Sequence, residues 1–162
     1  HVLDGARAVP GILAELVRAE DLAQAPDRLL RYDGVILGSP TYLGGVSGPF
    51  KTFMDSTGRL WKTQQLKNRL AAGFTVSSLP AGDKQSTLMS MWVFAMQHGM
   101  LWTGLPMMPT GRSTQDLNRM SSFLGLMTQS DNAPVEVTPP QGDLDTAIWF
   151  GEYVALLVNR FK

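Results

Sequence analysis

Two short runs have the composition of ligand-binding loops. The first, Gly38-Ser39-Pro40-Thr41-Tyr42-Leu43-Gly44-Gly45, follows the apolar stretch Val35-Ile36-Leu37. Pro40 removes a backbone donor and the paired glycines admit dihedrals that other residues avoid, so the run is expected to leave the strand and form a loop at its carboxyl end. The second, Ser77-Ser78-Leu79-Pro80-Ala81-Gly82, follows the apolar stretch Leu70 to Val76 in the same way. Small side chains and turn residues let main-chain amides approach a flat ligand closely. Other chemistries lack their residues. The chain has no cysteine and two histidines, which leaves no thiolate nucleophile and no evident metal-ligand cluster. Asp143 and Asp145 read as a helix-start pair rather than catalytic carboxylates. No side chain is assigned as a catalytic acid, base or nucleophile, and any redox chemistry must belong to something bound.

Elements that would position the two runs can be read from the spacing of apolar residues. His1 to Arg7 reads as a helix already in progress, without an initiator methionine. Pro10-Gly11 stops it, and Leu13 to Val17 is expected to form a short edge strand, followed by a loop holding Pro26. Val35 to Leu37, bounded by glycines, has the pattern of a strand buried on both faces of a parallel sheet. Ser47 is placed to cap the next helix, with Pro49 in its first turn and Phe50, Phe53 and Met54 facing inward. After the strand at Leu70 to Val76, Asp83 to Gln97 reads as a helix, and Met100-Leu101-Trp102 as the last strand. From Pro106 to Pro140 five prolines predict an irregular excursion with a short helical turn near Leu117 to Phe123. The period of Leu144, Ala147, Ile148, Val154, Leu157 and Val158 predicts a closing amphipathic helix. Alternating strands and helices imply an open parallel sheet covered on both faces, which binds ligands beyond the carboxyl ends of its strands.

Length and composition bound the alternatives. A chain of 162 residues, 44% hydrophobic and 17% charged, is expected to fold as a single domain over residues 1–162. Its 14 basic and 14 acidic residues cancel without any block of like charge, which argues against a nucleic-acid partner. No apolar run approaches the roughly 18 residues that span a bilayer, and no signal-peptide pattern opens the chain. The missing cysteines fit a cytoplasmic protein. The nine methionines are expected mainly to fill the core, with some available to a subunit interface.

The Gly38 to Gly45 run resembles the FMN loop of the WrbA-type, flavodoxin-like NAD(P)H:quinone oxidoreductases. The resemblance continues through Phe53-Met54-Asp55-Ser56-Thr57-Gly58-Arg59-Leu60-Trp61, the Phe74 to Gly82 segment and Gln97-His98-Gly99-Met100, in that family's order and approximate spacing. It covers residues 1 to 105 well and the remainder loosely. It implies an α/β three-layer sandwich with a parallel five-stranded sheet in the order 2-1-3-4-5. The first strand and the phosphate-binding loop after it are not in this sequence, so no phosphate ligands are assigned. For the cofactor, the resemblance implies contacts from Pro40, Thr41, Tyr42, Leu43 and Gly44, from Ser77, Ser78, Leu79, Pro80, Ala81 and Gly82, and from His98. In the family this histidine often reaches the flavin from a neighbouring subunit. Trp61 and Tyr42 are implied as walls of the substrate site. Leu79-Pro80-Ala81 is stiffer and more apolar than the family's glycine- and threonine-rich loop.

Function follows from the resemblance as an expectation: hydride passes from NADH or NADPH to FMN and on to a quinone or similar small acceptor. A homodimer or homotetramer is expected. Plainer readings stand beside these. Trp61 would cover an edge of the core, and His98 would sit in the last turn of a helix where the macrodipole favours it. A flavodoxin-type single-electron carrier is the alternative function, disfavoured by the neutral charge, and a cofactor-free interaction protein is a third.

Overall fold

The computed structural model describes residues 1–161. Helix α1 spans Val2–Ala8, α2 spans Ala19–Gln24, and a 3₁₀ helix covers Pro26–Arg31. Strand β1 (Gly34–Tyr42) turns into the short β2 (Gly45–Val46), and α3 (Gly48–Ser56) and α4 (Gly58–Lys62) follow. Then come β3 (Leu70–Ser77), α5 (Lys84–Gln97), β4 (Leu101–Trp102), β5 (Leu126–Gln129) and α6 (Gln141–Phe161).

Strand β3 is the centre of the sheet. β1 lies parallel to it in unbroken register from Gly34 opposite Leu70 to Pro40 opposite Val76. Its other edge is shared: β4 pairs with Leu70 and Ala71, and β5 pairs with Phe74 to Ser77, both parallel. The side chains of these strands alternate between two cores, as the pleat requires. Leu37 and Ala71 pack with Phe53, Leu60, Leu88 and Met91 of α3, α4 and α5. Leu70 and Ala72 pack with Leu126, Ala147, Phe150 and Val154 on the α6 side. Helix α1 crosses α6 closely because Gly5 and Gly151 each meet the other helix's backbone; a Cβ at either would lie 1.9 Å from a carbonyl oxygen. No helix among the described residues is long and apolar enough to cross a membrane.

Several expectations change. Leu13 to Val17 forms no strand, and Leu13 and Leu16 are exposed. An alternating pattern becomes a strand only when it pairs with a neighbouring edge, and Leu13 to Val17 pairs with none among the described residues. The expected loop around Pro26 is instead helical. Ser39 to Tyr42 continues β1 rather than leaving it. Pro40 is tolerated because the edge of β1 away from β3 is unpaired there among the described residues, so no ladder bond is lost. Met100 to Trp102 supplies only half of the last strand; β5 supplies the rest, and the stretch between them interrupts the sheet edge. Leu117 to Phe123 forms turns and no helix. The methionines divide, with Met91 and Met100 buried and Met89, Met96 and Met108 exposed.

Candidate functional site

The carboxyl ends of β1 and β3 bring the two suspected loops together. β1 and β2 are joined by a two-residue hairpin, Leu43-Gly44, with φ of 47° and 77°. Positive φ at both positions is the signature of a type I′ turn, which matches the twist of the flanking strands. Glycine takes this conformation freely, whereas Leu43 is strained in it. Leu43 is also wholly exposed, and Tyr42 beside it is 67% exposed. Under the turn, Thr41 is buried, its Oγ1 lying 2.7 Å from Thr75 Oγ1 and 2.8 Å from Thr87 Oγ1. Three hydroxyls thereby tie β1, β3 and α5 together. The Ser86 hydroxyl donates to the Gly44 carbonyl. Ser39 Oγ accepts from the Ser47 amide at 2.9 Å, and Ser47 itself does not cap α3 through its side chain.

A buried cation organises the β3–α5 loop. Lys84, fully buried, donates from Nζ to Ser77 Oγ at 2.9 Å and to the Leu79 and Pro80 carbonyls at 2.8 Å each. Desolvation pulls its ammonium below the ordinary lysine range, opposed by the more distant charge of Asp143. Ser77 Oγ also donates to Leu79 O at 3.0 Å. Gly82 closes the loop at φ 50°; a Cβ there would lie 2.2 Å from Ser77 Oγ. Ala81, Pro80 and Leu79 are exposed on the outer side. Beyond β5 the chain extends the same rim, Ser130 N donating to Ser77 O at 3.0 Å and Asp131 N to Ser78 O at 3.1 Å.

A buried ion pair supports this rim from behind. Arg119 Nε lies 2.7 Å from Asp143 Oδ1, and Asp143 Oδ2 accepts from the Gln129 amide at 2.8 Å. Asp143 does stand in the first turn of α6, but as a buried anchor for Arg119 rather than an exposed helix-start charge.

Trp61 and His98 lie elsewhere. Both stand by the carboxyl end of α5, a helix of 14 residues, so about 20 Å separates them from Lys84 at its start. Trp61 Nε1 donates to Gln97 Oε1 at 2.9 Å. His98, 2% exposed, packs its ring 4.6 Å from that of Phe94. Its protonation can be assigned from the network. Thr57 spends its single hydroxyl proton on the Met54 carbonyl at 2.7 Å, so it accepts from His98 Nε2 at 2.9 Å. Nδ1 is then a bare lone pair, buried without a partner. Burial pulls the imidazole below its ordinary range, keeping it neutral. A groove of about 570 Å³ runs along α5 from Ser86 to His98, floored by Met54 and Phe94 and flanked by Trp61, Met89 and Val93.

Of the residues singled out in the sequence, Pro40 to Gly44, Tyr42 among them, and Ser77 to Gly82 converge on one rim. Trp61 and His98 form a second cluster that this chain does not bring to the rim. Lys84, Thr75, Thr87 and Ser86 were not foreseen. The rim suits a flat aromatic ring: Tyr42, Leu43 and Leu79 leave apolar surface uncovered, and Gly44 and Gly45 present open backbone, with no atom within 4 Å of a Cβ placed on Gly45. No group of three or more metal-ligating side chains occurs among the described residues.

Comparison with known proteins identifies the family. Residues 7–111 match the family model described as NADPH-dependent FMN reductase. The chain is 34% identical over 155 residues to flavodoxin FldP of Pseudomonas aeruginosa, covering 91% of this chain and 84% of that one. It is 36% identical over 135 residues to an NAD(P)H dehydrogenase (quinone) of Archaeoglobus fulgidus, covering 83% of this chain and 64% of that relative. Among solved structures, the flavodoxin, WrbA-like protein from Agrobacterium tumefaciens superposes with a TM-score of 0.70 at 29% identity, over 99% of this chain and 87% of that one. The fold is therefore flavodoxin-like, and the chain belongs to the NADPH-dependent FMN reductase family, oxidoreductases that pair FMN with NAD(P)H as electron donor.

Proposed function

We propose that this protein passes two electrons from NADH or NADPH through FMN to a quinone or a similar small acceptor. The observation that carries the reading is the convergence of the Leu43-Gly44 turn and the Ser77 to Gly82 loop on one rim, with apolar side chains and open backbone facing outward. Pro40, Thr41, Tyr42, Leu43 and Gly44 would hold the ring from one side, and Ser77, Ser78, Leu79, Pro80, Ala81 and Gly82 from the other. Bound FMN supplies the hydride chemistry. The chain's own residues orient and shield. The Thr41–Thr75–Thr87 hydroxyls fix the turn, and Tyr42 offers an exposed aromatic face on which nicotinamide and acceptor stack in alternation.

Trp61, half-exposed, would join this site from a second copy of the chain, because about 20 Å of helix keeps it from the rim of its own; buried His98 would back the wall that Trp61 presents. A homodimer or homotetramer is therefore part of the reading, as is action in the cytoplasm. The test is an absorbance titration of the full-length protein with FMN, followed by anaerobic NADH or NADPH and then a quinone. Binding, bleaching of the visible flavin band and recovery on adding quinone are expected. Binding without bleaching points to the single-electron carrier, and absence of binding overturns the proposal. Gel filtration tests the assembly, and a strictly monomeric protein overturns it.

A further inference from the structure

Burying a lysine among neutral acceptors is costly. Lys84 is fully buried, and its ammonium meets one hydroxyl and two carbonyls, with no carboxylate at ion-pair distance among the described residues. The charges of Asp143, Arg119 and Asp131 act on it only from further away. An uncharged side chain of similar length would avoid the desolvation. The geometry shows what the charge does to the loop. In a planar trans peptide the carbonyl and the next amide point in opposite directions. With the Leu79 and Pro80 oxygens turned inward onto Nζ, the amides that follow are turned outward. Pro80 has no N–H, so Ala81 alone presents one, and that amide donates to no acceptor among the described residues. Donation to the Pro80 oxygen also polarises this peptide and strengthens its N–H as a donor.

We propose that Lys84 is a positioning residue: it aims the Ala81 N–H out of the β3–α5 loop and places a fixed positive charge behind it, so that the rim favours the electron-rich, reduced form of the bound flavin. The proposal rests on the reading that this loop contacts FMN. It assigns Lys84 no contact with the cofactor and no proton transfer. The ammonium acts through one peptide and through its field, which a low-dielectric interior screens weakly.

The experiment compares the full-length wild type with Lys84→Gln, whose amide can still donate to the loop carbonyls but carries no charge. FMN affinity is measured by fluorescence for the oxidised cofactor, and the two-electron midpoint potential by anaerobic dye equilibration. The ratio of reduced to oxidised affinity is expected to fall about tenfold in Lys84→Gln, a drop of about 30 mV for a two-electron couple. In the wild type, amide exchange at Ala81 is expected to be fast without FMN and protected with it. This second measurement decides the matter should the variant fail to fold. FMN binding by wild type with an unprotected Ala81 amide, or with an unchanged potential in a folded Lys84→Gln, overturns this inference alone. No FMN binding by wild type overturns the functional reading and this inference together.

Discussion

The two ends of α5 solve opposite problems with buried polar groups. At the start of the helix, Lys84 and the Arg119–Asp143 pair are buried charges, each surrounded by partners that hold backbone in place. At the far end the buried group is His98, neutral, with one ring nitrogen bonded to Thr57 and the other left bare. Charge is retained where loops must be held against their own flexibility. Where three helices already pack through Phe94, Met54 and Leu60, burial instead keeps the titratable group uncharged. The loop end is thus ordered by electrostatics and the groove end by packing.

The most damaging test of this contrast is Arg119→Ala. It leaves Asp143 2% exposed and without its cation, and an unpaired buried charge of this kind costs about 3–5 kcal/mol. Urea denaturation should show that loss, with the Ser77 to Asp131 rim loosening first in hydrogen exchange. A loss below about 1 kcal/mol would mean that packing, not charge, orders the rim.

A smaller effect of opposite sign is expected from Leu43→Gly. Relief of the left-handed backbone at φ 47° should raise stability of the cofactor-free protein by about 0.5–1 kcal/mol after the entropy of the added glycine is subtracted. FMN affinity should fall at the same time, because an exposed apolar wall is removed. Calorimetry with and without FMN separates the two. If both quantities move together, the strain at Leu43 serves the fold rather than the ligand.

The smallest effect is a pH slope at the groove end. His98 has its folded-state pKa below its unfolded value, so the unfolded chain binds the proton more readily. The stability contributed by keeping it neutral is complete above the ordinary histidine value of about 6.5 and is lost progressively as pH falls below it. His98→Asn should flatten that part of the stability profile. An unchanged acid limb would show that the slope comes from other groups.

Much of this arrangement was legible in the chain. The apolar runs of β1 and β3 and the helical periods of α3 and α6 reflect burial on fixed faces, which sequence spacing records directly. The turns at Leu43-Gly44 and around Pro80 to Gly82 were legible because turn chemistry is local, although the first was expected to begin at Ser39, where β1 still runs. What escaped depends on contacts between distant segments. Leu126-Met127-Thr128-Gln129 has no strong strand pattern and lies in a proline-rich tract; only the open upper edge of β3 makes it a strand. Leu13 to Val17 shows the converse, a fair local pattern that pairs with no strand among the described residues. Lys84 was invisible because lysine at a helix start is ordinarily solvated, and only the inward carbonyls of the preceding loop explain its burial. The separation of Trp61 and His98 from the rim depends on the length and direction of α5, which their local motifs do not state.

The interrupted edge strand has a consequence for how the molecule can change. Between β4 and β5 the chain leaves the sheet and returns through a narrow neck. Leu105 N donates to Phe123 O at 2.9 Å, and a Cβ on Gly104 would lie 2.1 Å from that same oxygen. Thr103 N donates to Ala71 O at 2.8 Å on the outgoing side, and Gly125 lies against the Gly73 carbonyl on the return. The sheet therefore senses the neck directly, and the chain beyond it through the Arg119 contact with Asp143. Since closure entropy grows only slowly with loop length, the solvent-facing turn around Arg112 can lengthen or shorten while the interrupted strand stays in register; the return from Thr114 to Arg119 cannot, because it holds Gly142, Thr146 and Asp143 of α6.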